Sequence, residues 1–173
     1  MELRSVCLAA LAVLSAGVAR AQSAPPPVSP PPASPSSVYG KWMVQGGEGI
    51  VELSPCKDSA RGPLCGRIVW LRDARNPDGS TTTSVDDVTD VLNVDPALRQ
   101  RKLLGLFGMY DFHYGPEPGS FEGGVVYDPQ KGQTYRATVR LQPDGKLHLH
   151  GYMGFSALGR TAIWSRAPER PER

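Results

Sequence analysis

Residues 133–153 read QTYRATVRLQPDGKLHLHGYM, two alternating runs around a turn. In the first run Tyr135, Ala137, Val139 and Leu141 share one face, and Thr134, Arg136, Thr138 and Arg140 share the other. A period of two is the signature of an extended strand with one buried face. Pro143-Asp144-Gly145 supplies the turn: proline presets the backbone and glycine accepts a positive φ. Beyond it, Leu147 and Leu149 oppose Lys146, His148 and His150. A single hairpin with one apolar face is not stable alone, so the rest of the chain must cover it.

The same grammar extends in both directions. Short apolar or alternating runs occupy 40–45, 49–55, 65–72, 103–113, 121–127 and 160–166, separated by glycine, proline and aspartate. The 103–113 run reads as one strand interrupted by Gly105 and Gly108. Between 73 and 95 the chain is polar, and Asp95-Pro96 can open a short helix, aspartate as N-cap and proline at the first helical position. Nowhere is there a helix-period segment long enough to cover a parallel sheet. The expected fold is all-β: about eight antiparallel strands in meander order, closed into a small barrel, with one or two short helices. Closure removes the exposed edges that an open sheet would carry. A two-layer sandwich is the alternative.

The N-terminus has a different character. Arg4 precedes an almost unbroken apolar run from 6 to 18, and Ala19-Arg20-Ala21 forms a small-x-small site. That pattern is a cleaved secretory signal over 1–21, cut after Ala21. It places the mature protein in the periplasm or outside the cell, with no transmembrane segment once the signal is gone. Cys7 sits inside the apolar run, where it cannot serve as a lipid-anchor site. Residues 22–37 are almost entirely proline, serine and alanine, too poor in large apolar groups to offset ordering entropy, and read as an extended linker. One domain follows over 38–167, and 168–173 is a polar tail.

Loss of the signal removes Arg4, Arg20 and Glu2, which lowers the formal net charge from +2 to +1. That balance gives no electrostatic case for binding nucleic acid. Cys56 and Cys65 are the two cysteines left after cleavage, and in an oxidising compartment they are expected to pair.

Gly40-Lys41-Trp42 opens the first run and GRTAIWSR, residues 159–166, forms the last. In a closed meander the first and last strands are neighbours. Glycine allows close approach, Trp42 can plug one end, and a planar guanidinium can lie on its ring. Arg166, which shares a strand face with Trp164, and Arg160 are the candidates. Gly40, Trp42, Trp164 and Arg166 are therefore read as structural.

A Gly-x-Trp on the first strand with an arginine near the last resembles the lipocalin signature. GKWMV, CGRIVWL, DVLNVDPALRQRKLLGL, GGVVYDPQKGQTYRATVRL, LHLHGYMGF and GRTAIWSR follow in that order. Together they resemble the bacterial exported family called domain of unknown function 2147, over residues 39–166. The resemblance implies a small lipocalin-like barrel and no established activity. One departure is Phe121, where the family tends to carry tryptophan; an aromatic is kept and an N–H donor is lost.

Chemistry-bearing motifs are sparse. His148 and His150 point the same way and have no evident third ligand, so exposed polar positions are expected rather than a metal site. Asp86, Asp87 and Asp90 read as a solvated loop. The GFSAL stretch at 154–158 lacks the second glycine and the strand-to-helix setting of a nucleophile elbow. With no nucleophile–base pair, complete metal set or phosphate loop, neither catalysis nor a cofactor is expected. The favoured reading is a binding module for a small apolar or amphipathic ligand, with Tyr127, Tyr135 and Arg160 as polar anchors. Asn93 and Asp90, in a long connection suited to the rim of a barrel, are further candidate contacts. The alternative is a structural or protein-interaction module of the cell envelope without a ligand cavity.

Overall fold

The computed structural model describes residues 34–171; the expected signal and most of the expected linker lie outside them. Nine strands form one antiparallel sheet: β1 (Gly40–Met43), β2 (Gly49–Ser54), β3 (Cys65–Leu71), β4 (Phe107–Tyr110), β5 (His113–Tyr114), β6 (Ser120–Asp128), β7 (Gln133–Leu141), β8 (Leu147–Tyr152) and β9 (Arg160–Arg166). β1 pairs with β2 on one side and β9 on the other, and β4 pairs with β6, so the sheet closes. β4 and β5 both lie along β6 and act as one kinked stave. The result is a closed eight-strand barrel. Among the described residues the only helical segments are 3-10 turns of three or four residues. None is long and apolar enough to cross a membrane.

Alternation sets the inner faces as the 133–153 stretch predicts. Ala137, Val139, Leu147 and Leu149 are buried. The run expected at 103–113 is shorter in the structure. Residues 103–106 form turns before β4, and β4 ends at Tyr110 because Asp111 takes φ 60° and the fully buried Phe112 follows. An αL residue cannot continue a pleated strand. The helix expected at Asp95-Pro96 is a 3-10 turn, Pro96–Leu98, with Asp95 capping the Ala97 N–H at 3.0 Å.

Because every pairing is antiparallel, alternate connections gather at opposite ends. The β1–β2, β3–β4, β6–β7 and β8–β9 connections rim one end. At the other end the chain enters through a 3-10 turn, Pro35–Val38, and leaves β9 at Arg166. This second end is sealed. Val38, Trp42, Leu64, Phe112 and Phe121 are fully buried. Trp42 Nε1 donates to the Val38 carbonyl at 2.7 Å. Arg166 stacks on the Trp42 ring, 3.9 Å from its centroid, and donates through Nη1 to the Tyr39 carbonyl at 2.8 Å and through Nη2 to the Ser37 carbonyl. Gly40 has φ +117°, and a Cβ there would stand 2.9 Å from Arg166 Nη1. Glycine, tryptophan and arginine thus form one plug, and the arginine is Arg166 rather than Arg160. Phe121 keeps the aromatic packing of its position, with ring centroids 6.4 Å from Tyr39 and 5.5 Å from Tyr114.

Cys56 and Cys65 form a disulfide with Cα atoms 5.0 Å apart. It ties the β2–β3 connection at the sealed end, where Arg61 O accepts the Asp111 N–H at 2.8 Å.

Candidate functional site

Above the plug the barrel is hollow. A cavity of about 990 Å³ opens between the rim connections. Its wall is largely apolar, with Ile50, Val51, Ile68, Met109, Val126, Leu149, Ala162 and Trp164 contributing inward side chains. Val88, Leu103 and Leu106, from the long β3–β4 connection, complete one side. A site of this size, mostly apolar with a few polar groups, has the character of a small-molecule pocket.

The five expected ligand contacts divide into two groups. Tyr135 and Arg160 line the cavity. Tyr135 lies on the inner row of β7, its hydroxyl donating to Gln133 Oε1 at 3.0 Å, with Lys131 Nζ 5.6 Å from its ring centroid. Arg160 begins the inner row of β9, Arg160-Ala162-Trp164-Arg166. Its side chain has no hydrogen-bond or ion-pair partner among the described residues.

Tyr127, Asn93 and Asp90 come together elsewhere. Asp90 is fully buried, and its Oδ1 accepts from the Tyr127 hydroxyl at 2.6 Å. Its Oδ2 accepts from Asn93 Nδ2 at 2.7 Å and from Arg101 Nε at 2.8 Å. Asn93 Nδ2 also donates to the Tyr127 oxygen at 2.8 Å, and the Arg101 guanidinium lies 4.6 Å from the Tyr127 ring centroid. Asp90 and Asn93 do not line the cavity, whereas Tyr127 does. The network pins the β3–β4 connection to β6 and so holds Val88 and Leu103 against the lumen. Close packing reinforces it: a Cβ at Gly132 would meet the Leu92 carbonyl oxygen at 1.8 Å. The expectation of a solvated loop holds for the exposed Asp86 and Asp87 and fails at Asp90, whose charge is met by Arg101.

Burial, and then the hydrogen bond and charge of Asp90, push the Tyr127 hydroxyl up to about 12, with Arg101 opposing. Tyr127 therefore stays protonated at neutral pH and serves as a donor.

The remaining motifs resolve into local structure. His150 Nε2 donates to the Ser156 carbonyl at 2.8 Å, and its Nδ1 shares a hydrogen bond with Thr161 Oγ1 at 3.0 Å. The imidazole meets the Ser156 backbone, so the pair is a loop clamp and not a nucleophile with its base. Among the described residues no group of three or more histidine, cysteine, aspartate or glutamate side chains is placed to hold a metal.

Over residues 40–166 the sequence matches a family model described as "Uncharacterized protein conserved in bacteria (DUF2147)". The chain belongs to that family. The DUF2147 barrel is also similar to a solved structure, protein HP1028 from Helicobacter pylori, described as belonging to the lipocalin family. The two share 23% identity and a TM-score of 0.57, over 76% of this chain and 84% of that one. At that identity the likeness shows the fold. No curated protein matches this DUF2147 chain.

Alternation along β9 places Ala162 and Trp164 on the lumen wall, yet reading the sequence singled out neither Ala162 nor Gly151 for the cavity. The available signal was small residues at inward positions, which leave volume unfilled.

Proposed function

We propose that this protein is an exported, non-catalytic binding module that carries or senses a small, partly apolar molecule in its barrel. The observation that carries this reading is the pairing of a sealed end with an open one: about 990 Å³ of apolar-walled space lies between the Trp42–Arg166 plug and the rim. Burial of apolar ligand surface supplies the affinity, at roughly 25 cal/mol per Å² before ordering costs. Tyr135 and Arg160 supply polar anchors near the mouth. Tyr127 acts indirectly, by holding the wall.

Export is supported by the leader of 1–21 and by the Cys56–Cys65 disulfide, which is the usual state of such a pair outside the cytoplasm. Both described chain ends leave from the sealed end, opposite the mouth. Native mass spectrometry of the mature protein, after incubation with a mixture of neutral and charged amphiphiles, tests the reading. One retained molecule per chain is expected, and a spectrum of bare protein under all mixtures would contradict it.

A second reading, an interaction module of the envelope, is favoured by one observation. Leu92, Val94 and Leu98 are exposed on the β3–β4 connection at 37, 69 and 39%. Such a cluster on a rim loop suits contact with another protein. Val94→Ser would then abolish partner capture while leaving amphiphile binding unchanged.

A further inference from the structure

The binding reading leaves open what kind of molecule the lumen selects, and the inner row of β9 bears on that. It carries an arginine at each end. Arg166 has a ring and two carbonyls as partners. The Arg160 side chain has none among the described residues, although it lines the mouth. The other cations bordering the cavity are engaged. Arg72 Nε pairs with Asp73 at 3.0 Å, Lys131 with Asp128 at 3.7 Å, and Arg75 Nη1 donates to the Gly79 carbonyl at 2.9 Å.

The wall beside Arg160 is also unusually bare. Its cross-strand partner on β8 is Gly151, whose own partner on β7 is Ala137. The positions directly across from the arginine are therefore small, and the nearest large side chain beside Gly151 is Tyr135, whose Cβ would lie 3.7 Å from a Cβ at 151. Below it on the same row come Ala162 and then Trp164, about 13 Å down the strand at ~3.3 Å per residue. Above it Met153 and Leu158 line the cavity, yet are 65 and 81% exposed. These features describe an apolar slot with a floor at Trp164, a lip at Met153 and Leu158, and one uncommitted guanidinium at the mouth. The carboxylate of Glu48 also borders the mouth, on the β1–β2 side, and has no cation partner among the described residues. It disfavours an anion at that side and so directs one toward β9.

Resting on the binding-module reading, we propose that the ligand is an amphiphile with a single anionic head, a carboxylate or a phosphate. Its apolar body fills the lumen toward Trp164 and its head is held by Arg160. A planar guanidinium offers two parallel N–H donors to either head group, which a neutral head cannot match in charge.

Two dyes sharing one apolar body separate the claims: 1-anilinonaphthalene-8-sulfonate, which is anionic, and N-phenyl-1-naphthylamine, which is neutral. The wild-type protein should bind the sulfonate more tightly. Arg160→Gln should weaken the sulfonate about tenfold and leave the neutral dye within about twofold, the size expected for loss of one charge-assisted contact. Ala162→Trp should abolish both, which places both dyes in the lumen. If neither dye binds the wild type, the binding-module reading itself fails. If both bind and Arg160→Gln leaves their ratio unchanged, or weakens both alike, only the anionic-head proposal is overturned. Decanoate and decyl phosphate as competitors distinguish the head groups: displacement by one assigns its class, and displacement of the sulfonate dye by neither contradicts the proposal.

Discussion

Arg166 sits over the Trp42 ring, its guanidinium carbon 3.9 Å from the ring centroid, and the two residues are direct cross-strand partners between the last strand and the first. This contact joins the ends of the meander and seals the barrel beneath Trp164, which floors the cavity. Partial burial lowers the arginine's pKa from its ordinary value, and the group remains a cation at any physiological pH. Arg166→Lys removes the planar stack and the forked donation to two carbonyls. A loss of about 2–3 kcal/mol in urea unfolding is expected. Gly40→Ala should act on the same contact, through a strained φ and a clash with Nη1, and cost about 1–3 kcal/mol. Because both act on one contact, the double variant should lose less than the sum of the two single losses.

The buried Asp90 carboxylate is held by Tyr127, Asn93 and Arg101. Asp90→Ala leaves Arg101 without its counter-charge and the Tyr127 hydroxyl without its acceptor. Destabilisation of about 2–4 kcal/mol is expected, reduced from a fully buried pair because Arg101 is partly exposed. A cycle with Tyr127→Phe should show coupling of about 1–2 kcal/mol in unfolding free energy. Additive losses would mean that the two side chains do not depend on each other.

Tyr127 also sets an alkaline limit. Its folded pKa, about 12, lies above the ordinary value of 10.0. The folded state therefore binds the phenolic proton more strongly than the unfolded state. The stabilisation is fully present below pH 10 and is lost as pH rises from there through about 12. Unfolding free energy measured across this window should fall more steeply in the wild type than in Tyr127→Phe. Parallel curves would remove Tyr127 as the cause.

The Cys56–Cys65 bridge closes a short loop at the sealed end. Replacing both cysteines with serine should cost ~2–3 kcal/mol by the chain-entropy model. Dithiothreitol should lower the wild-type unfolding midpoint to that of the double variant and leave the variant unmoved.

The strands and their closure were largely legible, because period-two alternation and turn chemistry are local signals. Trp42 could be paired in advance with an arginine of the last strand, because a meander barrel makes its first and last strands neighbours; the choice of Arg166 over Arg160 came from the structure. The kink at Asp111 was not legible: it follows from tertiary demand that Phe112 be buried, and no glycine marks it. Nor was the fate of Asp90. An aspartate in a polar stretch reads as solvated until Tyr127, 37 positions away, and Arg101 are known to meet it. The lumen was legible only as a possibility. Whether inward side chains fill a barrel depends on strand tilt and on the volumes at facing positions, and here Gly151 and Ala162 leave space.

The central claim is that the barrel is hollow and admits a small apolar molecule from one end. Fluorescence titration of the wild type and Ala162→Trp with N-phenyl-1-naphthylamine tests it most directly. Saturable binding of one dye per chain by the wild type, abolished in a variant that unfolds at the same urea concentration, is the result predicted. Absence of saturable binding by the wild type, or undiminished binding by the variant, would contradict it.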